Sequence, residues 1–313
     1  MSAFTIGTRG SALALWQTNH VAGLLRAAEP SLEVKVEVIT TRGDVDQSER
    51  LVGKLEKGFF TEELERALRE GGIDAAVHSL KDLPTRLPEG LALGAVLERA
   101  RPNDVLLVRP DWVQQRSKDE LPLAAPARVG ASSLRRDALL RRYAPTCQPV
   151  PLRGNVPTRV ERLREGRTDA IVLASAGLDR LQLDLGGLTV FRLNPRRWVP
   201  APGQGAIAVQ CRESDEANRL RLGRINHLLT SDATAWERHF LRILEGGCAT
   251  PFGAYVEGEC AWLGQLKPSG WQSRSVALPE RAGPDERTRF VTRVLAEEVL
   301  GDGDDGGWLY EGV

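Results

Sequence analysis

An internal repeat constrains the fold of this chain more than any other feature. REGGIDAAVHSLKDL at 69–83 matches REGRTDAIVLASAGL at 164–178, with seven identical residues in fifteen aligned positions. In both copies a polar segment ends at a glycine and is followed by a short apolar run, which is typical of a helix, a turn and a buried strand. The repeat predicts two related α/β lobes, the alternative being a chance similarity of two helix–turn–strand units.

The segments around the repeat alternate between strand and helix patterns. Strands are predicted at 3–7, 32–40, 73–80, 128–130 and 149–153, and helices after Ser11, at 59–70 and from a Ser132-Ser133 cap to Arg142. Such alternation favours parallel sheets with βαβ crossovers. Hinged lobes of this type place a ligand cleft between them, as in periplasmic binding proteins.

The domain boundaries follow from changes in this pattern. PRRWVPAPGQG at 195–205 is rich in Pro and Gly and predicts a segment that crosses between lobes, and 205–211 predicts a strand that returns to the first sheet. From about 223 a long helix, alternating stretches and a final helix at 285–299 predict a small α+β domain. The domains are therefore predicted as 1–100 with 203–222, 101–202, and 223–313, a number that suits 313 residues.

Composition excludes several classes of protein. Lys+Arg and Asp+Glu number 42 each, and this zero net charge argues against a general nucleic-acid binder. No apolar run is long enough for a membrane span, and the first residues lack the order of a signal peptide. The four cysteines show no metal-type spacing, so we expect no metal site, and they are expected to be reduced thiols in a cytoplasmic protein.

Arginines recur where predicted strands meet helices. Helix N-terminal amides at such junctions attract anions, and the guanidinium fork suits carboxylate or phosphate. Ser11, Ser132 and Ser133 add neutral donors there, although surface arginines and ordinary helix caps are the simpler interpretation of any single member. The recurrence of the set predicts a site for a polyanionic small molecule. The arginines are Arg9, Arg135, Arg136, Arg153 and Arg159, with Arg180 after the repeated strand.

Three further segments are candidates for chemistry. A buried strand delivers Lys81 and Asp82 to its carboxyl end, where α/β folds position reactive groups, although an Asx turn before Leu-Pro would use the same aspartate. Gly246-Gly247 leaves the backbone free to present Cys248 as a covalent anchor or nucleophile, or else as a buried turn cysteine. GKLEKGFF at 53–60 is either a mobile loop over the site or an ordinary solvent loop.

Together and in this order, these segments resemble the porphobilinogen deaminase (hydroxymethylbilane synthase) family. The similarity covers most of residues 1–255 and is weak over roughly the last sixty. The matching segments are IGTRGSALAL at 6–15, TRGD at 41–44, KGFFTEELE at 57–65, DAAVHSLKDLP at 74–84, GASSLRR at 130–136, LRGNVPTR at 152–159, DAIVLASAGLDRL at 169–181, PAPGQGA at 200–206 and LEGGCATPFGA at 244–254.

The resemblance implies a transferase of tetrapyrrole (haem-type) biosynthesis. Members join four porphobilinogen molecules head to tail into the linear tetrapyrrole hydroxymethylbilane and release ammonia at each step. The resemblance also implies a dipyrromethane cofactor, assembled from two substrate units and bound by a thioether to Cys248, and it suggests a monomer. Asp82 matches the family's catalytic carboxylate, which stabilises the positive charge that develops on the substrate.

The resemblance assigns the remaining motif positions to carboxylate binding, because each porphobilinogen carries an acetate and a propionate. Lys81, Ser133, Arg135 and Arg136 match cofactor-binding positions. Lys57 and Phe60 match a loop that covers the active site. Ala131 departs from the family's usual hydroxyl residue, and KGFF departs mildly from KGLF. The positions matched to the substrate are Arg9, Ser11, Arg153, Arg159, Arg180 and Gln204.

Two other classes share parts of this pattern. Hinged α/β lobes with an anion site also describe non-enzymatic solute receptors and ligand-sensing domains, which have no need of Cys248. A cysteine-dependent hydrolase would need a histidine partner, and His239, the histidine nearest to Cys248 in sequence, lies in a predicted helix.

Overall fold

The computed structural model describes residues 3–41, 61–245, 251–280, 282–297 and 307–312. The chain divides into two compact units, Met1–Ala100 with Gly205–Asp232 and Arg101–Gln204 with Ala233–Val313. The separation of 223–313 as a third domain stays a prediction.

The strands in chain order are β1 (Phe4–Thr8), β2 (Val34–Val38), β3 (Ala75–Ser79), β4 (Leu91–Val96), β5 (Asp104–Val108), β6 (Arg128–Ala131), β7 (Gln148–Pro151), β8 (Ala170–Ala174), β9 (Thr189–Leu193), β10 (Ile207–Arg212), β11 (Phe252–Glu257), β12 (Cys260–Lys267), β13 (Gly270–Ala277) and β14 (Tyr310–Gly312). The α-helices in the described ranges are α1 (Ala12–Ala28), α2 (Glu62–Arg69), α3 (Leu134–Tyr143), α4 (Val156–Arg164), α5 (Ser175–Leu181), α6 (Glu216–Gly223), α7 (Leu228–Glu245) and α8 (Pro284–Ala296).

The first unit is built on a five-stranded sheet of order β2-β1-β3-β10-β4. β1 pairs in parallel with β2 and β3, whereas β10 pairs antiparallel with β3 and β4. The predicted return of 205–211 to the first sheet is therefore confirmed. On one face of the sheet, Ile6 and Val77 pack against Val21 of α1. On the other face, Ala76 packs against Leu64 of α2.

The second unit contains a six-stranded sheet of order β14-β9-β5-β8-β6-β7. β6 pairs in parallel with β7 and β8, and β5 lies antiparallel between β8 and β9. In each sheet, three parallel strands are thus followed by one antiparallel strand, which is β10 in the first unit and β5 in the second. β10 is the first strand after the chain returns to the first unit, and β5 is the first strand after the chain enters the second unit. The mixed α/β class is confirmed, and the predicted parallel pairing is present among β1, β2 and β3 and among β6, β7 and β8. The strands β10 and β5 run in the opposite direction, which the alternation of strands and helices did not predict.

The two copies of the repeat have the same local structure. Each helix, α2 or α4, ends at a glycine with positive φ, 75° at Gly71 and 73° at Gly166, a conformation that terminates helices and favours glycine. The aspartate before each strand then exchanges hydrogen bonds with a neighbouring strand. Asp74 contacts Thr5, and Asp169 contacts Arg128. This equivalence supports two related lobes over a chance similarity.

The C-terminal part of the second unit is an α+β layer. β11, β12 and β13 form an antiparallel sheet. Trp236 and Phe240 of α7 pack against Val291 of α8 and Ala254 of β11 in one apolar cluster. β14 leaves this layer and pairs with β9 at the edge of the six-stranded sheet. Among the described residues, no helix combines the length and the apolar character needed to cross a membrane.

The serines that precede α1 and α3 differ in whether their side chains cap the helix. Ser11 caps α1, and its hydroxyl accepts a hydrogen bond from the Ala14 N–H at 3.3 Å, which satisfies one of the free amides of the first turn. Ser133 is the N-cap residue of α3, at the predicted position, but its side chain makes no capping hydrogen bond.

Candidate functional site

In the first unit, Lys81 and Asp82 lie on a 3₁₀ turn, Leu80–Asp82, directly after β3. Leu80 and Leu83 are buried in one apolar cluster on either side of the two polar residues. The Leu80 N–H also donates to the Ala206 carbonyl at 3.0 Å, which ties the turn to the start of β10. The turn is therefore fixed by its apolar residues, and the Lys81 and Asp82 side chains are exposed to solvent.

Arg9 and Ser11 lie at the same edge of this sheet. They follow β1, which is parallel to β3, and the carboxyl ends of parallel strands meet at one edge. Gln17 of α1 donates to the Ser79 hydroxyl at 2.9 Å, which holds the first turns of α1 beside the end of β3. The four predicted residues of this unit, Arg9, Ser11, Lys81 and Asp82, are thus gathered at one edge.

His78 is buried on the α2 side of β3. Burial lowers the pKa of His78 to about 4, with the Arg9 charge acting in the same direction and a hydrogen bond with Gln210 opposing it. The ring is therefore neutral near pH 7. Nε2 of this buried ring has no hydrogen-bond partner among the described residues.

In the second unit, Arg135 and Arg136 converge on Asp104, the first residue of β5. Arg136 contacts both carboxylate oxygens, with Nη2 at 2.7 Å from Oδ1 and Nε at 3.1 Å from Oδ2, and Arg135 Nη2 lies 2.8 Å from Oδ2. Trp198 Nε1 donates to Oδ2 at 2.9 Å, and Gln204 Nε2 donates to Oδ1 at 2.9 Å. We call these five residues the Asp104 cluster.

The electrostatics of the Asp104 cluster follow from its burial. Burial alone would raise the pKa of Asp104, but the charges and hydrogen bonds of Arg136 and Arg135 outweigh it and hold that pKa far below its ordinary value. Burial lowers the pKa of Arg135, partly offset by the Asp104 carboxylate. The carboxylate is fully ionised at neutral pH, and the two arginines that were predicted to face a ligand are largely buried.

The remaining predicted residues of this unit lie at the carboxyl edge of β7, β6 and β8. Arg159 donates to the Ser132 hydroxyl at 2.8 Å and to the Gly154 carbonyl at 2.7 Å, which connects the segments after β6 and β7. Arg180 follows β8 on α5, and burial lowers its pKa to about 10, with Asp179 opposing. Ser133 and Arg153 are half-buried at the same edge, which corresponds in topology to the Asp82 edge of the first unit.

Gln204 lies inside the second unit. Its amide nitrogen donates to the Pro102 carbonyl at 2.7 Å as well as to Asp104. In this structure the amide N–H groups therefore serve the Asp104 cluster, and the predicted substrate contact stays a prediction.

Three predicted residues, Lys57, Phe60 and Cys248, lie outside the described residues. Within the described ranges, no group of three or more His, Cys, Asp or Glu side chains is arranged to hold a metal ion.

Sequence reasoning missed Asp104, Trp198 and Glu237. Glu237 of α7 is fully buried, and its carboxylate accepts hydrogen bonds from the Gly203 N–H at 2.7 Å and the Val256 N–H at 2.9 Å. These contacts tie the Pro- and Gly-rich segment at 195–205 to α7 and β11. One signal was available for Asp104, since a lone acidic residue before the apolar run VLLV is unexpected in a buried strand without a partner.

The fold and these edges define the chain as a mixed α/β protein whose arginines gather at the carboxyl ends of parallel strands. Residues 4–219 match the family model described as porphobilinogen deaminase, dipyromethane cofactor binding domain. The chain belongs to the porphobilinogen deaminase family.

Curated relatives match over nearly the whole chain. The porphobilinogen deaminase of Syntrophomonas wolfei is 46% identical over 316 residues, 97% of this chain and 97% of the relative. That of Carboxydothermus hydrogenoformans is 41% identical over 315 residues, 96% of this chain and 98% of the relative. Among solved structures, the amino acid ABC transporter substrate-binding protein AbpA of Streptococcus pneumoniae has a TM-score of 0.41 at 11% identity, covering 74% of this chain and 90% of that one.

Proposed function

We propose that this chain is a porphobilinogen deaminase, a transferase that condenses four porphobilinogen molecules head to tail into hydroxymethylbilane. It releases ammonia at each step, and water supplies the hydroxyl group of the product. The observation that carries the proposal is the exposed Asp82, fixed at the carboxyl end of β3 beside Arg9 and Ser11 in a chain of this family. We further propose that it acts in the cytoplasm as a monomer, with no nucleic-acid or membrane partner.

The carboxylates of the substrate explain the arginines. Each porphobilinogen carries an acetate and a propionate, so a growing chain is a polyanion. A protein of zero net charge binds such a ligand by concentrating positive groups where the ligand lies. Arg9 and Lys81 in the first unit are suited to this role, as are Arg153, Arg159 and Arg180 in the second. Ser11 and Ser133 add hydroxyl groups.

The described residues fit a dipyrromethane cofactor. The Asp104 cluster contains two guanidinium groups for one carboxylate, and Arg135 Nε is buried with no hydrogen-bond partner among the described residues. A carboxylate is the group that such an excess accommodates. Arg135, Arg136, Ser133 and Lys81 would hold the acetate and propionate groups, and Cys248 would hold the cofactor through a thioether. When bound, the cofactor supplies the pyrrole ring to which the first substrate is joined.

Asp82 is proposed to act on each arriving substrate. Its carboxylate accepts hydrogen bonds from pyrrole N–H groups and stabilises the positive charge that develops as the aminomethyl C–N bond breaks and ammonia leaves. A new C–C bond then forms to the free α-carbon of the preceding ring, which loses its proton. Arg9 lies at the same sheet edge and is suited to binding a substrate carboxylate, which orients the ring against Asp82.

An assay of both products tests this function. Purified protein is incubated with porphobilinogen, and ammonia and the linear tetrapyrrole are measured over time. We expect four molecules of ammonia for each hydroxymethylbilane released. Binding of porphobilinogen without consumption would instead support the non-enzymatic receptor described above, and consumption without a linear tetrapyrrole would contradict the proposed reaction.

A further inference from the structure

The buried carboxylate of Asp104 pairs with Arg135 and Arg136. The proposed function assigns these two arginines to binding the carboxylates of the cofactor. We propose that Asp104 is a positioning residue that orients Arg135 and Arg136 toward those carboxylates and so determines how fast the cofactor is acquired. This inference rests on the proposed function, and it assigns a role to a residue that neither the motifs nor the family resemblance singled out.

The hydrogen bonds of the two guanidinium groups fix their orientation. Arg136 uses Nε and Nη2 on Asp104, and its Nη1 donates to the Val172 carbonyl at 3.1 Å. Arg135 uses Nη2 on Asp104 and Nη1 on the Val199 carbonyl at 2.8 Å. The two planar guanidinium groups share one carboxylate, and each also donates to one backbone carbonyl. They therefore have little freedom to rotate.

Asp104 acts only through these arginines. Its two oxygens accept five hydrogen bonds, and an ionised carboxylate offers about four lone-pair sites. No acceptor capacity remains for a ligand, and the side chain is fully buried.

The charges of the cluster favour an anionic ligand. Asp104 neutralises one of the two guanidinium charges, and both arginine side chains are more than nine-tenths buried. An unbalanced buried charge is unfavourable unless a counter-charge or polar partners compensate it. A carboxylate of the cofactor provides that counter-charge. Nε of Arg135, which has no hydrogen-bond partner in the described part of the chain, provides an additional donor.

The segment at 195–205 also contributes hydrogen bonds that hold the Asp104 carboxylate. Trp198 and Gln204, which donate to its two oxygens, both belong to the Pro- and Gly-rich segment at 195–205, and both are almost completely buried. The carboxylate is thus fixed by β5 and by this segment, so its own position does not depend on the ligand.

Asp104→Asn tests the role, because asparagine keeps the shape and removes the charge. The matched control is Asp169→Asn. Asp169 is also buried and lies near two arginines, Arg128 and Arg109. Asp169 precedes β8, and it lies five residues along that strand from Ala174, the residue paired with Asp104. At about 3.4 Å per residue, this places it roughly 17 Å from Asp104.

The readout is loading of the cofactor, not turnover. Each protein is produced in cells that cannot make porphobilinogen and is then incubated with porphobilinogen, and its intact mass is followed over time. Circular dichroism and thermal unfolding report on the fold. We expect Asp104→Asn to load at least about tenfold more slowly than wild type and Asp169→Asn to load within about twofold, although both are less stable.

Loading of folded Asp104→Asn at the wild-type rate would overturn the inference, as would equal slowing in Asp169→Asn, which would indicate general destabilisation. Where Asp104→Asn does not fold, Asp104→Glu keeps the charge and displaces the arginines. It is expected to load at least about threefold more slowly, and a wild-type rate there also overturns the inference. A wild-type protein that never gains mass identifies a different failure, that of the proposed function, and the inference falls with it.

Discussion

Asp74 and Asp169 make the same pair of hydrogen bonds in the two units. The Asp74 carboxylate accepts from the Thr5 N–H at 2.8 Å while its own N–H donates to the Thr5 carbonyl, and Asp169 does the same with Arg128. Each aspartate thereby fixes the start of its strand against the neighbouring strand. The repeat in the sequence is therefore a repeat of hydrogen bonds.

The two aspartates differ in burial, which predicts different costs of substitution. The Asp169 carboxylate is 3% exposed and that of Asp74 is 28% exposed, where it pairs with Arg212. We expect Asp169→Asn to lower the free energy of unfolding by about 2–3 kcal/mol and Asp74→Asn by about 1 kcal/mol, because a partly exposed pair is screened by water. Urea unfolding of the two variants measures the difference, and a larger loss for Asp74→Asn would contradict the account.

Asp82→Asn is expected to separate activity from stability. The side chain is exposed, so the free energy of unfolding should change by less than about 0.5 kcal/mol. Turnover of porphobilinogen should fall by at least about 100-fold, because the carboxylate is lost from the charge-bearing step.

A matched control for Asp82 exists in the second unit. Asp111 is also exposed on a 3₁₀ turn, Pro110–Trp112, that follows a buried strand. Asp111→Asn should leave turnover within about twofold of wild type in the same assay. Comparable losses of turnover in both variants would remove the proposed role of Asp82.

The buried His78 predicts a pH dependence of stability. Its pKa is about 4 in the folded protein and about 6.5 when unfolded, so the unfolded chain binds the proton first as the pH falls. The stabilising contribution is complete above pH 6.5, declines between pH 6.5 and 4, and is lost below that window. The decline amounts to about 3 kcal/mol, since one unit of pKa corresponds to about 1.4 kcal/mol.

His78→Asn should remove this decline, because asparagine does not titrate. Thermal unfolding of both proteins between pH 7 and pH 4 measures it, and other groups that titrate in this range affect both proteins alike. An identical loss of stability in the two proteins would show that His78 is not the group responsible.

Much of the fold could be predicted because it depends on local patterns. The apolar runs at β3 and β8, the glycines that end α2 and α4, and the return of β10 to the first sheet are all visible in the sequence. The antiparallel direction of β5 was missed because it depends on where the chain enters the second unit. Apolar periodicity does not report strand direction.

The site was predicted less completely, and for a physical reason. Asp82 and Lys81 could be predicted from a local signal, because a buried strand ends at these polar residues. Arg135 and Arg136 were found as cations, but their partner Asp104 lies about thirty positions away, and Trp198 and Gln204 lie farther still. Hydrogen bonds between residues so far apart in sequence leave no periodic trace along the chain.

The intact mass of the denatured protein tests the central claim most directly. Protein purified from cells that make porphobilinogen should exceed the mass of its sequence by two porphobilinogen-derived units, and Cys248→Ser should have the mass of its sequence alone. An active wild-type protein with the unmodified mass, or a Cys248→Ser variant that keeps the excess, would contradict the account.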